Sequence, residues 1–216
     1  MNEGSNEQLN EQLSDLTNEQ TVNSEPPKKK SSPLSTFIDY IELFVVAICV
    51  VILLFSVAFR TCTVDGSSMN NTLLDEEVLI VSDMFYTPDR EDIIVFHNND
   101  GTLNGQNNKP LVKRVIGIGG DTVTIDHSTH KVTVTDKDGN VTVMDQEYIY
   151  LDDNRGNPFW GVQEYVVPEG KLFVMGDNRR ASLDSRYSAV GFVDERSVLG
   201  KVYFRVSPPS KLGVIN

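Results

Sequence analysis

A lysine set inside an apolar run is the first residue with chemical potential. In Leu111-Val112-Lys113-Arg114-Val115-Ile116-Gly117-Ile118, strand alternation sets Lys113 on one face with Leu111 and Val115. Arg114 falls on the other face with Val112 and Ile116. Both faces are apolar, so at least one of the two cations is pressed into low-dielectric surroundings. Burial disfavours an ammonium and lowers its pKa, whereas an arginine keeps its charge and must find a carboxylate. Moving a lysine from about 10.4 to about 7 or 8 costs roughly 3 to 5 kcal/mol, and leaves enough neutral amine to act as a general base. The competing reading is an edge-strand lysine whose stem lies on apolar surface while its amine reaches water.

A base is useful only beside something to deprotonate. The segment Asp65-Gly66-Ser67-Ser68-Met69-Asn70-Asn71-Thr72-Leu73 supplies two hydroxyls in a small-residue turn, although by itself such a turn is an ordinary loop. A second polar block, Gly176-Asp177-Asn178-Arg179-Arg180-Ala181-Ser182-Leu183-Asp184-Ser185-Arg186, follows the apolar stretch Lys171–Met175. If residues 182–186 are extended, Ser182, Asp184 and Arg186 share a side, so Asp184 can pair with Arg186 while the Ser182 hydroxyl faces a third group. His97, His127 and His130 lie in Asn-, Gly- or Thr-rich surroundings and read as solvated surface residues. They offer neither a Ser–His pair nor metal-ligand spacing.

The elements that must hold these residues are unevenly distributed along 216 residues. A net charge of −12, from 19 Lys and Arg against 31 Asp and Glu, argues against a nucleic-acid partner. Two cysteines exclude a disulfide scaffold. Residues 1–36 are rich in Asn, Gln, Glu and Ser, and read as a disordered tail. From Leu43 to Phe59 the chain carries no charge for 17 residues, and extension back to Phe37 gives a transmembrane helix over 37–60. Lys28, Lys29 and Lys30 precede the span and only Arg60 follows it, which places the amino terminus in the cytoplasm and residues 61–216 outside. The rival is a cleavable signal peptide, since Ser56 and Ala58 supply small residues at a processing spacing; the long apolar run and polar leader count against it.

Beyond the span, short β-rich runs dominate: Glu77–Val81, Asp92–Phe96, Leu111–Ile118, Thr122–Asp126, Lys131–Asp136, Val141–Asp145, Lys171–Met175 and Lys201–Val206. The expected fold is mostly β: one N-terminal transmembrane helix, then an antiparallel β catalytic domain with a small β insertion over about 122–170. Lys131–Asp136 and Val141–Asp145 read as a hairpin.

Taken in order, these blocks resemble the type I signal peptidases, membrane-bound Ser/Lys proteases, and look most like the Gram-positive branch. The resemblance rests on the Gly-Ser-Ser-Met turn, on Arg90-Glu91-Asp92-Ile93-Ile94-Val95-Phe96, on Lys113-Arg114-Val115-Ile116-Gly117 through Gly120-Asp121, and on Gly176–Arg186. It implies that Ser68, directly before Met69, is the nucleophile and Lys113 its general base. It further implies that Ser182 orients the lysine amine, that Asp177 pairs with Arg114 and Asp184 with Arg186, and that the Ser68 N–H serves an oxyanion hole. Gly66 stands where some relatives have a serine that adds a second donor. Asn71 and Gly119 replace family prolines, which should loosen those loops by about 0.4 to 1 kcal/mol each. Arg180 stands where an acidic residue is common.

The activity implied is cleavage of N-terminal signal peptides from exported preproteins at a cell membrane, near the export machinery. The cut follows small residues at the first and third positions before it, and no metal or cofactor takes part. A self-cleaving Ser/Lys repressor would need a DNA-binding amino-terminal module, which an acidic tail and a membrane span do not provide. The rival from another class is a catalytically silent, membrane-anchored β interaction module.

Overall fold

A computed structural model describes residues 33–98, 109–145, 147–152 and 154–215. The expected disordered tail lies outside the described residues except for 33–36, which are already helical. Helix α1 (Pro33–Ala58) opens on a proline, which fits the first helical turn because its missing N–H would have no intrahelical partner. Within it Thr36–Ala58, with a mean hydropathy of 3.0, is long and apolar enough to cross a membrane. The helix stops two residues short of the expected Arg60. The Ser82 hydroxyl donates to the Ala58 carbonyl at 2.7 Å, satisfying one of the terminal acceptors, and Arg60 already belongs to a strand. The described residues divide into two units, the second of which begins at Ile52.

Among the described residues the second unit holds twelve strands: β1 (Arg60–Thr63), β2 (Val78–Ser82), β3 (Ile93–His97), β4 (Pro110–Gly117), β5 (Thr122–Asp126), β6 (Lys131–Thr135), β7 (Val141–Val143), β8 (Val162–Val166), β9 (Lys171–Met175), β10 (Val193–Asp194), β11 (Val198–Ser207) and β12 (Gly213–Val214). The larger sheet has the order β1-β2-β11-β3-β4-β9-β10, with β12 also on β11; the smaller is β7-β6-β5-β8. Every pairing between these strands is antiparallel.

The smaller sheet follows from period-two patterning. Val123, Ile125, Val132 and Val134 point inward and are buried with Ile116, Phe173 and Met175, whereas Thr122, Thr124, Thr133 and Thr135 face out. Each such burial contributes about 1.5 to 3 kcal/mol relative to exposure. In the β6–β7 hairpin, Asp136 Oδ1 accepts from the N–H groups of Asp138 and Asn140 and closes the turn.

Four strands escaped the sequence reading. β8 turns Val162 and Val166 outward and half-buries Gln163 and Tyr165, so its hydrophobic alternation marks the wrong face. β1 is only four residues long and follows the helix directly, and β10 and β12 have two residues each.

The strand that matters most is β4, an interior strand between β3 and β9. Its residues 112–117 are all buried, which overturns the edge-strand reading of Lys113. Gly119, just beyond it, packs against the Glu169-Gly170 turn, where a Cβ would lie 3.0 Å from the Glu169 Cα. The loop is therefore constrained by close packing rather than simply loosened by the loss of a proline.

Candidate active site

The turn after β1 is anchored from below. Met69 and Leu73 are 1% and 0% exposed, and sit in a cluster with Val64, Leu79 and Ile93. The Leu73 N–H donates to the Met69 carbonyl at 2.8 Å and Asn70 N–H to the Ser67 carbonyl at 3.2 Å, which curls the chain. Ahead of them Gly66 adopts φ +93°, a conformation that a side chain at this position would strain, and its N–H is held by Asp75 Oδ1 at 2.7 Å. Of the two serines this turn presents, Ser67 is exposed and Ser68 half-buried.

Lys113 reaches the turn from β4. Its Nζ lies 2.8 Å from Ser68 Oγ and donates to its neighbour's carbonyl, Val112 O, also at 2.8 Å. The residue is 3% exposed, and burial pulls the amine down from its ordinary value to about 8, against the opposing attraction of Asp184 and Asp177. A neutral amine donates one N–H to Val112 O and keeps its lone pair for the Ser68 hydroxyl.

Arg114 points from the opposite face of β4 into a bidentate pair with Asp177: Nε to Oδ1 at 3.0 Å and Nη2 to Oδ2 at 2.9 Å. Its third donor, Nη1, reaches the Glu91 carbonyl, and the guanidinium stacks 4.0 Å from the centre of the Tyr148 ring. Asp177 also accepts from Thr72 Oγ1, which joins the pair to the serine turn.

Asp184 and Arg186 form a second bidentate pair, with both contacts at 2.8 Å. They do so within a turn rather than the extended segment expected, and the Gly176 N–H donates to the same carboxylate. Burial alone would raise the Asp184 carboxyl, but the Arg186 cation more than offsets it and holds the group below the usual carboxylate range. Ser182 lies over Gly176, buried and without a hydrogen bond of good geometry, though close enough to Asp184 to help keep it ionised.

The sequence reading passed over Asn178, which is 0% exposed. Its backbone N–H donates to the Ser68 carbonyl at 3.0 Å and its side-chain amide to the Ser67 carbonyl at 3.1 Å. One residue thus holds both peptide groups beside the hydroxyl. Gly176 was passed over as well: a Cβ there would lie 2.4 Å from the Ser68 carbonyl oxygen. Their place in the Gly176–Arg186 block gave neither residue a role, because both contacts span more than a hundred positions. His127 is a correction. It is 3% exposed rather than solvated, stacks on Phe159, and shares a hydrogen bond between Nε2 and Gln163 Oε1 at 3.1 Å.

Around Ser68 and Lys113 the walls 63–69 and 110–113, with Ala181 and Leu183, enclose an open cleft of about 220 Å³. Asp65, one of its lining residues, meets the exposed Lys109 Nζ through Oδ2 at 3.0 Å. A hydroxyl beside a buried amine in an open cleft is an arrangement suited to acyl transfer.

A family model described as "Signal peptidase, peptidase S26" matches residues 37–207. The chain belongs to the signal peptidase family. Among its relatives, signal peptidase I of Bacillus amyloliquefaciens is 33% identical over 189 residues, which cover 84% of this chain and 94% of that one. Signal peptidase IB of Staphylococcus aureus is 34% identical over 158 residues, 69% of this chain and 78% of that one. A crystal structure of a signal peptidase I from Enterococcus faecalis V583 aligns with a TM-score of 0.39 at 29% identity, covering 54% of this chain and 97% of that one. The chain is therefore a peptidase of this family, and its antiparallel β architecture with one N-terminal apolar helix agrees with the fold expected from its sequence.

Proposed function

We propose that the chain is a single-pass membrane serine endopeptidase that removes N-terminal signal peptides from exported preproteins with a Ser68/Lys113 dyad. The reading is carried by one observation: an amine that is 3% exposed lies 2.8 Å from the Ser68 hydroxyl oxygen. Neutral Lys113 takes the Ser68 proton as Oγ attacks the scissile carbonyl, and the oxyanion that forms is met by the Ser68 N–H. The ammonium returns its proton to the departing amine, leaving an acyl ester on Ser68. Lys113 then deprotonates a water that hydrolyses this ester. Ser182 orients the amine, while the Arg114–Asp177 and Asp184–Arg186 pairs fix the walls. No metal or cofactor enters this reaction.

In this reading α1 anchors the enzyme in the bilayer, with the amino terminus cytoplasmic and residues 61–216 outside, the smaller sheet belonging to an insertion over about 122–170. An anchor keeps enzyme and membrane-bound leader on one surface and raises their effective concentration close to the export machinery. Substrates carry small residues at the first and third positions before the cut and lie extended in the cleft.

The test is cleavage of a leader peptide by the full chain in detergent. Ser68→Ala and Lys113→Ala should each lower kcat by about 10⁴-fold or more. Retained cleavage by either variant overturns the dyad.

A further inference from the structure

The turn after β2 is tied to the end of α1 by more than the chain that joins them. β2 runs antiparallel to β1 with Arg60 opposite Val81, so the residues that follow it reach back to the level of the helix's last turn. Ser82 fixes this placement: its hydroxyl donates to the Ala58 carbonyl at 2.7 Å and accepts from the Met84 N–H at 3.3 Å. Beside it Arg60 and Asp83 form a half-exposed ion pair at 3.6 Å. The turn closes where the Tyr86 N–H donates to the Asp83 carbonyl, and Tyr86 is held in turn by Asp92, its hydroxyl donating to Oδ2 at 2.8 Å. Between these fixed ends stand Met84, 49% exposed, and Phe85, 99% exposed.

A single exposed apolar side chain is ordinary on a protein surface. Two features set Phe85 apart. Its φ is +54°, in the left-handed region that suits glycine or asparagine and that a bulky ring rarely enters, so local backbone preference does not account for it. Packing does not account for it either, because the side chain is bare. The second feature is its level in the fold. Phe55 and Phe59, stacked 5.5 Å apart and 60% and 39% exposed, mark the end of the apolar helix there. Aromatic and apolar side chains with an arginine among them are what the boundary between hydrocarbon and headgroups accepts. A tight turn that presents two apolar side chains where a membrane-spanning helix ends is placed to enter lipid, whereas a soluble partner has no reason to lie at that depth.

We propose that Met84 and Phe85 form a second membrane contact beside the end of α1, which seats the peptidase unit on the lipid surface and holds its cleft at a fixed height. The proposal rests on the reading of α1 as an anchor, and on the Ser68/Lys113 reading only for its effect on rate. β1 leaves the level of the turn at Arg60 and carries Thr63 to the cleft wall, about 10 Å further along at about 3.3 Å per residue. A domain held at one point can tilt, and tilting spreads its cleft over many heights. A second contact removes that freedom and raises the effective concentration of the cleft at the height where a membrane-bound leader presents its cleavage site.

The experiment has two arms, both on the full chain. In the first, Phe85→Trp is combined with Trp160→Phe, which leaves one tryptophan, and the protein is placed in vesicles of phosphatidylcholine and phosphatidylglycerol. Its emission should shift to the blue, be quenched when the acyl chains carry bromine near the headgroup, and be shielded from iodide in the water. A tryptophan open to iodide and indifferent to bromine overturns the proposal. One shielded from iodide yet indifferent to bromine overturns it as well, and assigns the turn to a second copy or another protein. In the second arm, kcat/KM of the parent, Phe85→Ser and Phe85→Leu is measured with a preprotein inserted in the same vesicles and with a soluble leader peptide in detergent. Phe85→Ser should lose about fivefold to tenfold on the preprotein and less than about twofold on the peptide, while Phe85→Leu keeps most of the activity. An equal loss on both substrates, or no loss on the preprotein, overturns the seating role. If Ser68→Ala retains cleavage, the dyad falls, and the bromine quenching still decides the lipid contact.

Discussion

A methyl group on Gly176 would lie 2.2 Å from the Ser182 hydroxyl oxygen and 2.4 Å from the Ser68 carbonyl oxygen. The second neighbour is backbone and cannot swing away, so Gly176→Ala must push the serine turn off its seat. We expect a loss of about 1 to 3 kcal/mol in denaturant unfolding. The shift of Ser68 relative to Lys113 should lower kcat by about 10²-fold. A variant that retains full activity would show that the turn can move without harm.

Asn178 makes a different prediction, because its backbone bond to Ser68 survives substitution and only the side-chain bond to Ser67 is lost. Asn178→Ala should cost about 0.5 to 1.5 kcal/mol for the lost hydrogen bond, because the Ser67 carbonyl keeps the Asn70 N–H. Its kcat should fall by more than its KM rises, since the defect lies in the aim of the hydroxyl rather than in the walls of the cleft. Steady-state kinetics on one leader peptide separates the two.

The amine of Lys113 ties both rate and stability to pH. With its value lowered to about 8, activity should climb as pH rises through 8 and level off above it. Stability follows the same sign. The unfolded chain binds this proton up to about 10.5 and the folded chain releases it near 8, so stability rises with pH across that window. Below it the full cost of a buried ammonium is present. Unfolding free energies of the parent and Lys113→Met should therefore differ by about 3 kcal/mol more at pH 7 than at pH 11. A constant difference would place the amine in water.

His127 predicts acid sensitivity of the smaller sheet's surroundings. Burial lowers its pKa, with the cations Arg186 and His130 acting in the same direction and the bond to Gln163 opposing them. Below the ordinary histidine range the unfolded chain takes up this proton before the folded one does. The cost is absent above about pH 6.5 and grows as pH falls, until folded His127 protonates too. His127→Gln should flatten the dependence of the melting temperature on pH between 5 and 7.

Much of the framework was legible in the residues alone, and the reasons are physical. Alternation over 111–118 separates Lys113 from Arg114 by strand geometry, and Thr/Val alternation in Thr122–Asp126 and Lys131–Thr135 marks the smaller sheet's inner face. A charge-free run can be counted. What stayed hidden depends on chain segments brought together over long distances. Asn178 meets the serine turn 111 positions away, and Gly176 is required by the space that Ser68 and Ser182 leave. His127 misled because polar neighbours in sequence say nothing about Phe159, which covers it in space. Nor does the local sequence show that the last carbonyl of α1, at Ala58, accepts from Ser82 on another element.

Lys113 and Arg114 are adjacent on one interior strand and face opposite ways, and β4 pairs with β3 through Ile93↔Arg114 and Ile94↔Lys113. A one-residue slip of that pairing would exchange them, swinging a permanent cation toward the serine and a titratable one toward Asp177. The meeting of Lys113 with Ser68 is therefore written into the ladder's register: any change that lets it slide would yield a well-paired sheet whose amine no longer faces that hydroxyl.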